Sequence, residues 1–163
     1  MKKCLLYEDV HGECRIIVPS SEFKQSWETT ENAVGRLCEM ALPEVADVLV
    51  CDIEKIPTDL TFRRAWKKGD CKDPVKIDLE IAKTIHRDRL RHSCAVKIEE
   101  LDVQLEVAIE NDNLPEQVAL KKTKKILRNL HNCDLSHCKT ANDIKYSIPK
   151  ELHDVWVYYK PVP

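Results

Sequence analysis

Only three glycines, Gly12, Gly35 and Gly69, occur in 163 residues. A loop that wraps its backbone around phosphate needs clustered glycines, because a Cβ blocks the close approach. Neither G-x-G-x-x-G nor a Walker motif is present, and no G-x-S-x-G marks a nucleophile elbow. Aromatics make up 6% of the chain against 33% charged residues, a balance suited to surface-rich helices more than to a thick sandwich core. No stretch approaches the roughly 20 apolar residues that cross a bilayer. The opening MKKCLLYEDV breaks its apolar run at Glu8, too early for the core of a secretory signal. These absences predict a soluble, unexported chain that is not an enzyme, needs no cofactor and has no membrane partner.

The formal net charge of −2 gives the chain as a whole no pull toward nucleic acid, so any such affinity has to be local. Eight cysteines are present, scattered singly and mostly within apolar runs. That distribution predicts reduced, buried thiols.

Residues 3–7 and 14–18 are apolar and β-branched, and Gly12 lies between them, which predicts a β-hairpin. A short turn of helix is expected up to Trp27, and a second helix at about 30–40, where Ala33, Val34, Leu37 and Cys38 recur at helical spacing. Residues 46–53 read as a third strand. Asp59 then caps an expected amphipathic helix over 60–67 that carries Phe62 and Trp66 on one face and is ended by Gly69.

From Asp78 to Asp112 there is neither proline nor glycine. A helix of that length spans about 50 Å, and Cys94, Ile98, Leu101, Leu105 and Ala108 step along it as the seam against another helix. Ile81 and Ile85 do not continue that register. Asn113, Pro115 and Glu116 spell a second helix start, which should run to about His131. Six acids between Glu99 and Asp112 face five bases between Lys121 and Arg128 if the two helices fold back on each other. Thr140 and Asp143 form a capping-box pattern for a short closing helix. The tail from His153 alternates in a strand-like way. The fold class is therefore α+β: a small N-terminal β-hairpin unit over 1–69, a long antiparallel helical hairpin with a short C-terminal helix over 75–152, and an extended tail over 153–163.

Four groups of residues are chemical candidates. His131, Cys133, His137 and Cys138 contain the donors of a zinc site, but adjacent His137 and Cys138 do not fit the usual ligand spacing, and an ordinary loop with no metal is the favoured reading. His86 and His92 lie six apart on a helix and point in different directions; with Arg87, Arg89 and Arg91 around them, a solvated helix face is expected, and no catalytic residue is assigned. Arg63, Arg64, Lys121, Lys122, Lys124 and Lys125 are candidates for a nucleic-acid patch, yet they lack interleaved aromatics for base stacking. Phe62, Trp66, Ile98, Leu101, Leu105, Trp156 and Tyr158 are the candidates for protein contact.

The segments IPTDLTFRRAW (56–66), VKIDLEIAKTIHRDRLR (75–91), KIEELDVQLEVAIEND (97–112), KKILRNL (124–130) and TANDIKYSIPKEL (140–152) occur in an order that resembles a group of largely uncharacterised bacteriophage and prophage proteins associated with tail genes. More distantly, the helical hairpin is similar to phage tail assembly chaperone-like domains. The Cys/His cluster at 131–138 has no counterpart in that group, and the residues after Trp156 extend beyond it. The resemblance implies a non-enzymatic structural or assembly role in a tail or virion. The implied setting is the bacterial host cytoplasm or the particle, with other phage structural proteins as partners and self-association through the hairpin. The alternative is a small nucleic-acid-binding or host-modulating phage protein that uses the basic residues, although nucleic acid is not the expected partner.

Overall fold

The computed structural model describes residues 3–20, 29–41, 47–130 and 132–153. The expected helical turn near Trp27, His131 of the Cys/His cluster, and the tail with Trp156 and Tyr158 lie outside these residues. The chain divides into two compact units, residues 1–81 and 82–163.

Unit 1 contains two small antiparallel sheets. The first has the order β2-β1-β3, formed by β1 (Lys3–Glu8), β2 (Cys14–Ile17) and β3 (Leu49–Asp52). Leu5 pairs with Ile17 on one side and with Val50 on the other, so β1 is the central strand. The β1–β2 turn is held by Asp9, whose carboxylate accepts from the amides of His11 and Glu13 at 2.9 Å and from Arg15 Nε at 2.7 Å. These donors, the Glu13 amide foremost, hold the Asp9 carboxyl down at about 2. Gly12 takes the left-handed φ of 71° that the reversal requires. Helix α1 (Thr30–Ala41) packs on β1, with Ala33 and Val34 buried.

The expected helix over 60–67 does not form. Residues Arg63–Ala65 make one 3₁₀ turn, and the chain continues as β4 (Trp66–Lys68), which pairs with β5 (Val75–Ile77). The reason is a competition for hydrogen bonds. A helix would give the Gly69 amide to the Ala65 carbonyl; instead Ala65 O accepts from Asp78 N at 2.8 Å, and Gly69 N donates to Pro74 O at 2.8 Å. Asp59 caps a local turn through the amide and hydroxyl of Thr61, not a helix. Gly69 therefore opens the short loop that joins β4 to β5. A Cβ there would overlap the Asp73 carbonyl oxygen and lie 3.1 Å from two further backbone carbons.

Trp66 joins the two sheets into one core. Its buried ring packs with Cys4, Leu6, Cys14, Cys51 and Val75, flanked by Ile16, Leu49, Ile53, Ile56 and Ile77. Cys4 and Cys51 are direct cross-strand partners with sulfurs 3.5 Å apart. Burial, reinforced by the hydrogen bond between the two thiols, pushes the Cys4 thiol up to about 12. All eight cysteines are free thiols; Cys71, in the turn between β4 and β5, is exposed, whereas five are buried.

Unit 2 is helical. Helix α2 (Leu79–Glu110) reaches it across the division, and α3 (Leu114–Leu130) packs along α2 as an antiparallel hairpin. Asp112 has a left-handed φ of 50° at the reversal, and the Asn113 side chain bonds the Glu116 carboxylate at 2.7 Å and accepts from its amide at 3.4 Å. Helix α4 (Ala141–Tyr146) starts on the expected capping box: Thr140 Oγ1 accepts from Asp143 N at 3.1 Å, and the Asp143 carboxylate accepts from Thr140 N at 2.9 Å. A last 3₁₀ turn, Lys150–Leu152, brings Leu152 into the core formed by Leu90, Cys94, Leu101 and Leu127.

Candidate functional site

The hairpin has an inner and an outer surface, and they differ in what they leave for a partner. On α2 the inner stripe runs Ala82, His86, Leu90, Cys94, Leu101 and Ala108, all buried. The expected seam holds in the second half of the helix and, contrary to expectation, continues through the first half by steps of four. His86 is therefore a core residue, 1% exposed, not part of a solvated face. Its Nε2 donates to the Ser147 carbonyl at 3.0 Å. Burial pushes its imidazole below the ordinary histidine value; the Ser147 bond opposes that shift and Arg89 and Arg87 add to it.

The inner surface is closed within the chain. Leu101 is buried, Ile98 packs against the same core, and Leu105 is half-buried. All three were expected at a contact with another molecule; Leu101 and Ile98 instead pack in the chain's own core with Leu127 of α3. Phe62 and Trp66, 3% and 1% exposed, are likewise core side chains with no surface left for a partner.

The basic candidates also separate. Lys124 is buried beside the core and forms an ion pair with Asp102 across the hairpin. The antiparallel charge match expected from sequence thus takes physical form at one buried lysine. Lys121, Lys122 and Lys125 remain exposed on α3. Arg63 and Arg64 stand in the other unit, where Arg63 Nη1 donates to the Cys14 carbonyl at 2.8 Å and its guanidinium lies 4.5 Å from the centre of the Trp66 ring.

Of the zinc candidates, Cys133 is half-buried against the Leu90–Leu127 core, Cys138 is buried, and His137 Nε2 is 3.5 Å from the Cys138 sulfur. Burial pushes the Cys133 thiol up. Among the described residues no group of three or more His, Cys, Asp or Glu side chains converges as metal ligands would. No helix among them is long and apolar enough to cross a membrane.

The outer surface carries what the sequence reading missed. Val96, Val103 and Val107 recur at intervals of seven and four on the back of α2, opposite the seam, and Val103 and Val107 are 63% and 50% exposed. The acids Glu99, Glu100, Glu106 and Glu110 flank this line, and all are exposed. On α3, Leu114 and Val118 are 68% and 67% exposed and share a face with Lys121, Lys122 and Lys125. A second heptad-like line behind the first is a legible signal: 96, 103 and 107 repeat the spacing of the seam, shifted by about half a turn of the helix wheel.

No family model, no curated protein and no solved structure matches this chain. The two outward faces of the hairpin, one apolar with acidic flanks and one apolar with basic flanks, are therefore the features on which a functional reading rests.

Proposed function

We propose that this is a non-enzymatic assembly protein that works through protein–protein contact, and that its hairpin associates with a second copy of the chain and with other structural proteins of a phage-type particle. The observation that carries the reading is the complementarity of the two outer faces. The back of α2 sets valines among glutamates, and the exposed face of α3 sets Leu114 and Val118 among lysines. The two faces lie on opposite sides of the hairpin, so the acid-flanked back of α2 in one copy meets the lysine-flanked face of α3 in the next, a head-to-tail contact in which unlike charges face each other. The phage setting is supported by the motif order described above.

Covering a half-exposed valine or leucine yields about 1 kcal/mol. One contact covers four such side chains, two from each copy, and supplies about 4 kcal/mol, comparable to the smallest entropy of association of about 4, so the charge match has to tip the balance. The expected result is weak, concentration-dependent self-association that does not stop at two copies. Light scattering after size exclusion on the full chain should show mass rising with concentration, and the double variant Val103→Asp/Val107→Asp should remain monomeric with unchanged helix content. A monomer at every concentration, in the wild type as well, would remove the self-association, and failure to capture any particle protein from infected cells would remove the assembly role.

The alternative, nucleic-acid binding through Lys121, Lys122 and Lys125, predicts an affinity that falls steeply with salt. Burial of Lys124 and the engagement of Arg63 weigh against it.

A further inference from the structure

We propose that unit 1 carries a binding site for the phosphate group of a small phosphate monoester, in the cleft lined by Glu13, Cys14, Arg15, Arg63 and Arg64. The cleft has a volume of about 410 Å³, the size range of small-molecule sites. It is separate from the hairpin faces and independent of the assembly reading.

Three arginines converge there from two distant parts of the sequence because β2 and the 3₁₀ turn before β4 belong to one core. Two of them are fixed in place. Arg15 is braced by Asp9 at 2.7 Å and by Glu13 at 2.8 Å. Arg63 is held between the Cys14 carbonyl and the Trp66 ring. Glu13, the one acid of the lining, is bonded to Arg15, so Arg63 and Arg64 bring positive charge that no lining carboxylate neutralises. Arg64 is exposed and has no hydrogen bond or ion pair with a described residue. A guanidinium has five N–H donors in a planar fork, and Arg63 spends one on the Cys14 carbonyl. One anchored and one unengaged guanidinium make a clamp that matches the three terminal oxygens of a monoester and its charge near −2. A phosphodiester offers two free oxygens and one charge, and a polymer would need cations continuing beyond the cleft. A small molecule with a terminal phosphate is the better fit.

The test uses the full-length protein, calorimetric titration, and four probes: adenosine 5′-monophosphate, inorganic phosphate, adenosine, and a twelve-nucleotide single strand with a 5′-hydroxyl. The monophosphate and inorganic phosphate should bind saturably and compete with each other, and adenosine should not bind. Arg64→Ala should weaken monophosphate binding at least tenfold, Arg64→Lys should fall between, and both should retain the wild-type circular dichroism because Arg64 is on the surface. Lys121→Ala/Lys125→Ala should leave the affinity unchanged. The proposal is overturned if adenosine binds as well as its monophosphate, if Arg64→Ala binds like the wild type, or if the lysine variant loses as much as Arg64→Ala. Tighter, Arg64-dependent binding of the oligonucleotide would also overturn it, by making the site part of a nucleic-acid track.

Discussion

The ion pair between Asp102 and Lys124 is lopsided, and the two halves should respond very differently to deletion. The Lys124 side chain is 11% exposed, walled in beside Leu127, whereas the Asp102 side chain is 50% exposed. Removing a partner from a buried pair is destabilising because of the charge left behind, so the penalty depends on which charge can return to water. In Lys124→Met, the stranded carboxylate is already half solvated and the new side chain fills the lysine's apolar path; the expected loss is about 0–1 kcal/mol. In Asp102→Ala, the ammonium stays enclosed with its charge-assisted hydrogen bond gone, and the expected loss is about 1–3 kcal/mol. Urea unfolding followed by the helical ellipticity at 222 nm reads the difference. With a slope of about 1–3 kcal/mol per molar, Asp102→Ala should lower the midpoint by roughly 1 M, and Lys124→Met should barely move it. The double variant should resemble Lys124→Met, since the enclosed charge is absent from both. Equal losses, or a larger loss for Lys124→Met, would refute the reasoning that enclosure of the lysine sets the scale.

Two further perturbations test other parts of the fold. Gly69→Ala puts a methyl into the Asp73 carbonyl, and the turn must open and release the Gly69–Pro74 and Asp70–Asp73 hydrogen bonds of 2.8 and 3.0 Å. At about 0.5–1.5 kcal/mol each, the loss should be about 1–3 kcal/mol by thermal or urea unfolding; an unchanged midpoint would mean that the turn gives way without penalty. Acid should destabilise the protein through His86. Its folded-state value lies below that of the unfolded chain, so the unfolded chain takes the proton first, and the contribution is complete above about pH 7 and shrinks as pH falls through about 6.5. The slope from this one group is at most about 1.4 kcal/mol per pH unit, and it should disappear in His86→Gln; an identical pH profile in that variant would assign the acid sensitivity elsewhere.

The hairpin was legible in the sequence because several signals agreed there. A stretch without proline or glycine, a 3–4 apolar step, the Asn113 cap and opposed charge blocks all point to two antiparallel helices, and the structure has them. The capping box at Thr140 was legible for the same reason. The β4–β5 pair was not. Strands of three residues are too short for alternation to register, and Phe62 and Trp66, four apart, imitate a helical face. What decides between helix and hairpin is a pair of non-local hydrogen bonds, Asp78 to Ala65 and Gly69 to Pro74, which no local pattern encodes. His86 was misassigned because its arginine neighbours outweighed the four-residue steps from Ala82 to Leu90 to Cys94. The arginine cleft escaped notice because Arg15 and Arg63 are brought together by tertiary packing alone.

The uneven placement of the thiols makes the molecule a ready-made labelling target. The thiolate attacks the alkylating reagent, so a sulfur enclosed in a core reacts only when its surroundings open. Cys71 should take a maleimide first, Cys38 and Cys133 more slowly, and the enclosed five last of all. A dye at Cys71 can therefore be attached to the native chain without mutagenesis, and the order in which the remaining sulfurs become modified gives a clock for the opening of each core.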